Sequence, residues 1–161
     1  MSEQRIAIVP GSFDPITLGH LSIIKRAARD YDRVYVAVMI NSEKRYMFTL
    51  EERKRIASAC VEKLCNVEVI SSEGWLWELA RDLGACAIVK GYRNDVDLEY
   101  EERMAQFNAE RCPAAKTILL KAEDGLTDVS STAVRGLLTD GGALDALLPP
   151  EAIEEIKRIK K

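Results

Sequence analysis

Ile6-Ala7-Ile8-Val9 runs directly into Pro10-Gly11-Ser12-Phe13-Asp14-Pro15-Ile16-Thr17-Leu18-Gly19-His20. The first four residues are an apolar run that reads as a buried strand. Beyond the turn, Leu21, Ile24, Ala27, Ala28 and Tyr31 recur at helical spacing. The stretch between is a strand-to-helix turn rich in Gly, Pro, Ser and Asp. Such a turn aims free backbone N–H groups and the positive end of a helix dipole at one point, which suits a phosphate. His20 stands at the start of that helix and is the only histidine in the chain.

Working outward, strands and helices alternate. Val34–Ile40 carries too few charges to face water on both sides and reads as a second strand. A polar loop, Asn41 to Arg45, precedes Thr49-Leu50-Glu51-Glu52, a capping box that opens a helix to about Leu64. Strands are expected at Val67–Ile70, Cys86–Lys90 and Thr117–Leu120, and helices at Trp75–Leu83 and Val96–Arg111. Gly84 suits a helix C-terminus, and Gly91-Tyr92-Arg93-Asn94 reads as an exit turn. Ser130-Ser131-Thr132 can cap a helix through Leu138, and Glu151–Ile159 is the last helix. The pattern predicts an α/β, Rossmann-like, doubly wound sheet of five parallel strands, with helices on both faces and further helices at the C-terminus. No linker, repeat or low-complexity tract divides the chain, so residues 1–161 are expected to form a single domain. Ligands in such a sheet bind outside the carboxyl ends of the strands. Those ends are Pro10–His20, Asn41–Arg45, Ser71–Leu76, Lys90–Arg93 and Lys121–Thr132.

Composition narrows the function. The chain has 161 residues, 47% of them hydrophobic, enough for a real core. Its formal charge of −3 does not favour nucleic acid. No apolar run approaches the length of a membrane span and the first residues lack a signal-peptide pattern, so a cytoplasmic location without membrane association is expected. Cys60, Cys65, Cys86 and Cys112 form no CxxC pair, and the lone histidine is far away in sequence. Small thiols rather than a metal site or a disulfide framework are expected.

The first turn lacks the Gly-Lys-Ser/Thr of a Walker A loop and the Gly-x-Gly-x-x-Gly of dinucleotide folds. Gly11 permits close backbone approach, Ser12 adds a hydroxyl, and Gly19-His20 sets an imidazole beside a helix N-terminus. Lys90 is a charge at the end of a buried strand, which is unusual unless it serves a site.

Gly-Ser-Phe-Asp-Pro-Ile-Thr-Leu-Gly-His resembles the first motif of the nucleotidyltransferase superfamily marked by [HT]xGH, with Thr17 and His20 at its two variable and fixed ends. The Thr form is similar to the bacterial phosphopantetheine adenylyltransferase family. Met47-Phe48-Thr49-Leu50-Glu51-Glu52-Arg53, Gly91-Tyr92-Arg93, Asp97-Leu98-Glu99-Tyr100-Glu101 and Ser130-Ser131-Thr132 resemble further segments of that family. The resemblance implies attack by the phosphate of 4′-phosphopantetheine on the α-phosphate of ATP, releasing pyrophosphate. The acceptor is already an anion, so positioning and charge stabilisation suffice.

The resemblance also implies roles. His20 and Lys44 would be catalytic, His20 donating to the α-phosphate and Lys44 bridging the reacting phosphates. Ser12 would bind acceptor or ATP phosphate. Phe13, Gly91, Tyr92, Arg93 and Glu101 would hold ATP, together with Leu126, Thr127, Asp128 and Val129. Ser130, Ser131 and Thr132 would take the β- and γ-phosphates. Leu76 would touch the pantetheine arm, and Lys90, where the family has arginine, the acceptor's phosphate. On residue type alone, Phe13 and Leu76 read equally as core, Lys44 as a solvated lysine, Glu101 as one more acid on its helix, and Ser-Ser-Thr as an N-cap. Mg²⁺ is expected with ATP, without a dedicated protein cage. The family further implies a homo-oligomer, a hexamer, and feedback by coenzyme A. Another acceptor, such as nicotinate mononucleotide or a polyol phosphate, and a non-catalytic nucleotide-binding domain are the alternatives.

Overall fold

The computed structural model describes residues 3–160. In chain order the elements are β1 (Ile6–Gly11), α1 (Leu18–Asp30), β2 (Arg33–Met39), α2 (Leu50–Val61), β3 (Val67–Ser72), α3 (Leu76–Leu83), β4 (Ala87–Tyr92), α4 (Asp95–Arg111), β5 (Lys116–Lys121), α5 (Ser131–Asp140) and α6 (Pro150–Ile159). The five strands are parallel, in the order β3-β2-β1-β4-β5. This is the doubly wound arrangement expected from the sequence.

Strand alternation divides the core. Ala7 and Val9 of β1, Val34, Val36 and Val38 of β2, and Ala87 and Val89 of β4 pack with α1, α2, α5 and α6 on one face. Ile8, Ala37 and Ile88, the intervening residues, pack with α3 on the other. The C-terminal isoleucines belong to the first core: Ile156 is buried, and Ile153 and Ile159 pack against it. Trp75, by contrast, is 58% exposed.

Local signals hold at the helix ends. Thr49 Oγ1 accepts from Glu52 N at 3.1 Å and Glu52 Oε1 from Thr49 N at 2.9 Å, so the capping box forms. Gly84 takes the left-handed conformation that ends α3 (φ 67°). α2 stops at Val61, one turn before the expected Leu64.

The main departure lies at the end of β4. Gly91 and Tyr92, read as an exit turn, continue the strand and pair with Leu120 and Lys121 of β5. A Cβ on Gly91 would lie 2.9 Å from Ile23 Cγ1, so glycine lets α1 lie close on this strand. Gly91→Ala is expected to destabilise the fold by about 1–3 kcal/mol through overpacking, measurable as a lower urea midpoint at unchanged m-value.

The sheet opens where the site should be. β1 pairs with β4 only at Ala7↔Ala87 and Ile8↔Ile88, whereas β1–β2 pairing runs on to Gly11↔Val38. Pro10, which has no N–H to give, lies beyond the last β1–β4 pair. The parting of β1 from β4 coincides with the reversal of winding direction, the point at which open α/β sheets bind ligands.

Candidate active site

A cavity of about 330 Å³ fills this gap. Its floor is Val9–Gly11 and Val89–Tyr92, and its rim carries Phe13, His20, Arg93, Glu101, Leu126, Val129 and Ser130–Thr132. Most of the residues singled out in the sequence therefore meet in one place. Ser12, Lys44, Leu76, Thr127 and Asp128 do not line it. Lys44, Thr127 and Asp128 are exposed. Leu76 lines a second cavity of about 120 Å³, on the far side of Lys90 and Glu101, which face both.

His20 is the third residue of α1, and Thr17 is its N-cap. The backbone N–H of Thr17 donates to His20 Nδ1 at 3.0 Å, and the Thr17 hydroxyl lies 3.0 Å from the same nitrogen. A backbone N–H can only donate, so Nδ1 is an acceptor and the neutral ring carries its proton on Nε2. His20 N in turn donates to Thr17 Oγ1 at 3.3 Å. The arrangement is a capping box in which histidine replaces the usual Glu or Gln. Desolvation by burial, then the charges of Arg93 and Lys90, push the His20 pKa down to about 4. At neutral pH the ring is an uncharged N–H donor beside two cations. Phe13 supports it edge-on, with ring centroids 5.0 Å apart, from a backbone held at φ 49°. Phe13, 2% exposed, is both core and cavity wall.

The cations are themselves anchored. Lys90 Nζ lies 3.0 Å from Glu101 Oε1, while Glu101 Oε2 is buried with no partner among the described residues. Arg93 Nε donates to Asp97 Oδ2 at 3.1 Å, and its backbone N to the same oxygen at 3.2 Å. Its terminal N–H groups make no hydrogen bond among the described residues.

Three hydroxyls at the start of α5 differ in what they have left to give. Ser130 Oγ accepts from Ala133 N at 3.1 Å as the N-cap, and Thr132 Oγ1 accepts from Arg135 at 3.1 Å, so both keep a proton to donate. Ser131 Oγ donates to Pro15 O at 2.8 Å, which commits its proton to the first turn. What Ser131 has left to offer an anion is its backbone N–H at the helix start.

The family model described as cytidylyltransferase-like matches residues 8–137. A phosphopantetheine adenylyltransferase of Clostridium perfringens is 40% identical over 154 residues, covering 96% of this chain and 94% of that protein. Its namesake in Streptococcus sanguinis is 40% identical, with 97% and 96% coverage. The one in Flavobacterium psychrophilum is 42% identical, with 91% and 96% coverage. The chain belongs to the phosphopantetheine adenylyltransferase family.

It is thus a nucleotidyltransferase. A Vibrio parahaemolyticus structure assigned to nicotinate-nucleotide adenylyltransferase superposes with a TM-score of 0.73, covering 97% of this chain and 93% of that one. At 19% identity that likeness speaks for the fold alone. Within this phosphopantetheine adenylyltransferase family member, residues not assigned a role from sequence hold the first turn. The Asp14 carboxylate, 2% exposed, accepts from Met47 N and Phe48 N, each at 2.9 Å. Arg135 donates to Asp14 O at 2.9 Å, and buried Arg53 to Ser12 O at 2.9 Å. Ser22 also lines the cavity, and its hydroxyl is buried with no partner among the described residues. Of the contacts that hold this turn, those between Thr17 and His20 join residues near one another in the chain.

Proposed function

We propose that this nucleotidyltransferase transfers the adenylyl group of ATP to 4′-phosphopantetheine, giving dephospho-coenzyme A and pyrophosphate in coenzyme A synthesis. A 4′-phosphate oxygen forms a bond to the α-phosphorus as the bond to the pyrophosphate oxygen breaks, with no covalent enzyme intermediate. The observation that carries the reading is one cavity at the β1/β4 opening that gathers a neutral His20, Lys90, Arg93 and the start of α5. Relatives named for this activity, at about 40% identity across almost the whole chain, support the choice of acceptor.

The cavity lining and the family likeness support the following roles. His20 donates from Nε2 to the α-phosphate oxygen as charge builds, a contribution largest in the transition state. Arg93 and the N–H groups of Ser130–Thr132 take the β- and γ-phosphates. Phe13, Gly91, Tyr92, Leu126 and Val129 enclose the nucleoside side, with Glu101, Thr127 and Asp128 at its edge. Lys90, facing both cavities, takes the acceptor's phosphate. Its pantetheine arm runs into the smaller cavity past Leu76. Ser12 and Lys44 close over the phosphates from the first turn and the loop after β2. Mg²⁺ would be held by the phosphate oxygens of ATP and would supply charge neutralisation there. Among the described residues, no group of three His, Cys, Asp or Glu side chains converges to cage it.

Trp75, Val96 and Tyr100, 58%, 77% and 54% exposed, support a homo-oligomer, read by family likeness as a hexamer. Coenzyme A carries the product's arm and would compete for the same cavities as a feedback ligand. Among the described residues no helix is long and apolar enough to cross a membrane, and we place the enzyme in the cytoplasm.

Pyrophosphate release from MgATP tests the reading directly. Release with 4′-phosphopantetheine, and none with nicotinate mononucleotide or without acceptor, is the expected result. Release with nicotinate mononucleotide alone would reassign the acceptor. ATP binding without turnover would make the domain regulatory.

A further inference from the structure

The loop Asn41–Tyr46, which carries Lys44, leaves the end of β2 and is exposed except at Tyr46. Within it, Lys44 N donates to Asn41 O and Glu43 N to Asn41 Oδ1, each at 3.0 Å. Asn41 N donates in turn to the Tyr46 hydroxyl at 2.9 Å. The turn is therefore closed on Tyr46. Beneath the Tyr46 ring, at 3.8 Å from its centroid, lies the guanidinium of Arg53.

Arg53 is an unusual residue. It sits in α2 at 2% exposure, and no carboxylate lies within ion-pair distance among the described residues. Its Nη1 donates to Ser12 O at 2.9 Å and approaches Met39 O at 3.4 Å, while Nε is buried without a partner. A buried cation held only by carbonyls and an aromatic face is expensive to keep for packing alone. Its partners have one thing in common. Ser12 opens the turn after β1, Met39 ends β2, and Tyr46 closes the Lys44 loop. One planar group thus ties the loop to the phosphate turn. The fork geometry reaches the carbonyls while the flat face stacks on the ring, which an ammonium cannot do together.

We infer that Arg53 and Tyr46 are positioning residues for adenylyl transfer: Arg53 fixes the Ser12 turn, and through the Tyr46 ring it sets where Lys44 meets the reacting phosphates. This inference rests on the role given to Lys44 above.

A double-mutant cycle on the full-length protein tests it, using Tyr46→Leu, Lys44→Ala and the pair, with thermal unfolding followed in parallel. Misplacement of a reacting group by an ångström can cost up to about 10²-fold. Tyr46→Leu, acting indirectly through Lys44, should lower kcat roughly 10-fold with little change in the KM for ATP. In the Lys44→Ala background it should cost almost nothing more. Tyr46→Phe keeps the ring on Arg53 and loses only the hydroxyl that holds Asn41, so it should restore much of the rate. Arg53→Lys should resemble Tyr46→Leu. Multiplicative losses from Tyr46→Leu and Lys44→Ala would overturn the positioning role while leaving Lys44 catalytic. An unchanged kcat in Lys44→Ala would overturn the Lys44 role and the inference with it. A Tyr46→Leu protein that loses thermal stability but keeps its kcat would show a structural contact only.

Discussion

His20→Ala is expected to lower kcat by roughly 10²–10³-fold while the KM for ATP stays near wild type. The expectation follows from the state of the ring in the free protein. Nδ1 is taken by Thr17, so Nε2–H is the group available to the cavity. A neutral donor gains little from the ground-state α-phosphate. It gains more as charge builds on that oxygen during displacement. Removing it therefore costs rate rather than binding. Steady-state kinetics of pyrophosphate release measure the split. Equal losses in kcat and in ATP affinity would assign His20 to binding instead.

The same ring predicts a pH signature. With its pKa pushed down to about 4, His20 stays neutral through the whole working range. It therefore contributes no inflection near 6.5 to kcat/KM. An acid limb near pH 6 is expected from the acceptor's own second phosphate ionisation, of about that pKa. That limb should persist unchanged in His20→Gln. Stability behaves differently. Between about pH 6.5 and 4 an unfolded histidine binds a proton that the folded one refuses. The unfolded state holds more protons in that window, so folding free energy present above 6.5 is lost as pH falls toward 4. His20 is the only histidine, and His20→Gln should flatten this part of a urea-midpoint profile.

What could be read in the sequence was what is built from neighbours. The Thr49 capping box and the Gly84 helix end depend on contacts within a few residues, and both formed where expected. So did the strand order's consequence, because parallel strands with right-handed crossovers leave few places for a site. Gly91-Tyr92 was misread because its composition is that of a turn. Pairing with Leu120 and Lys121, and the approach of Ile23, decide its conformation, and none of these is nearby in the chain. Asp14 shows the limit most clearly. Its carboxylate looks like turn chemistry, yet its partners are the N–H groups of Met47 and Phe48. Arg53 likewise belongs to a helix-opening pattern by sequence, and only the fold brings its guanidinium beneath Ser12 and Tyr46. Lys90 to Arg93, which line the cavity, were legible as candidates because they sit at a strand end. The scaffold that aims them was not, because it crosses from one strand end to the next.

Lys90→Met is expected to lower kcat/KM for the acceptor by about 10- to 10²-fold, the usual loss for a hydrogen bond to a charged group, and to leave the KM for ATP nearly unchanged. Lys90 Nζ sits 3.0 Å from Glu101 Oε1, with side-chain exposures of 28% and 12%. The pair stands between the larger cavity and the smaller one that holds Leu76. Methionine fills a similar volume but strands the Glu101 carboxylate, so a simple loss of activity has two explanations: a missing cation for the acceptor, or a destabilised wall. Adding Glu101→Gln separates them. The double variant removes the stranded charge and should recover thermal stability, while kcat/KM for the acceptor stays low because no cation has returned. Lys90→Arg restores the charge with a planar fork suited to a phosphate, and its activity should equal or exceed that of the native protein. Recovery of acceptor kinetics in Lys90→Met/Glu101→Gln would show that the cation serves Glu101 rather than the acceptor.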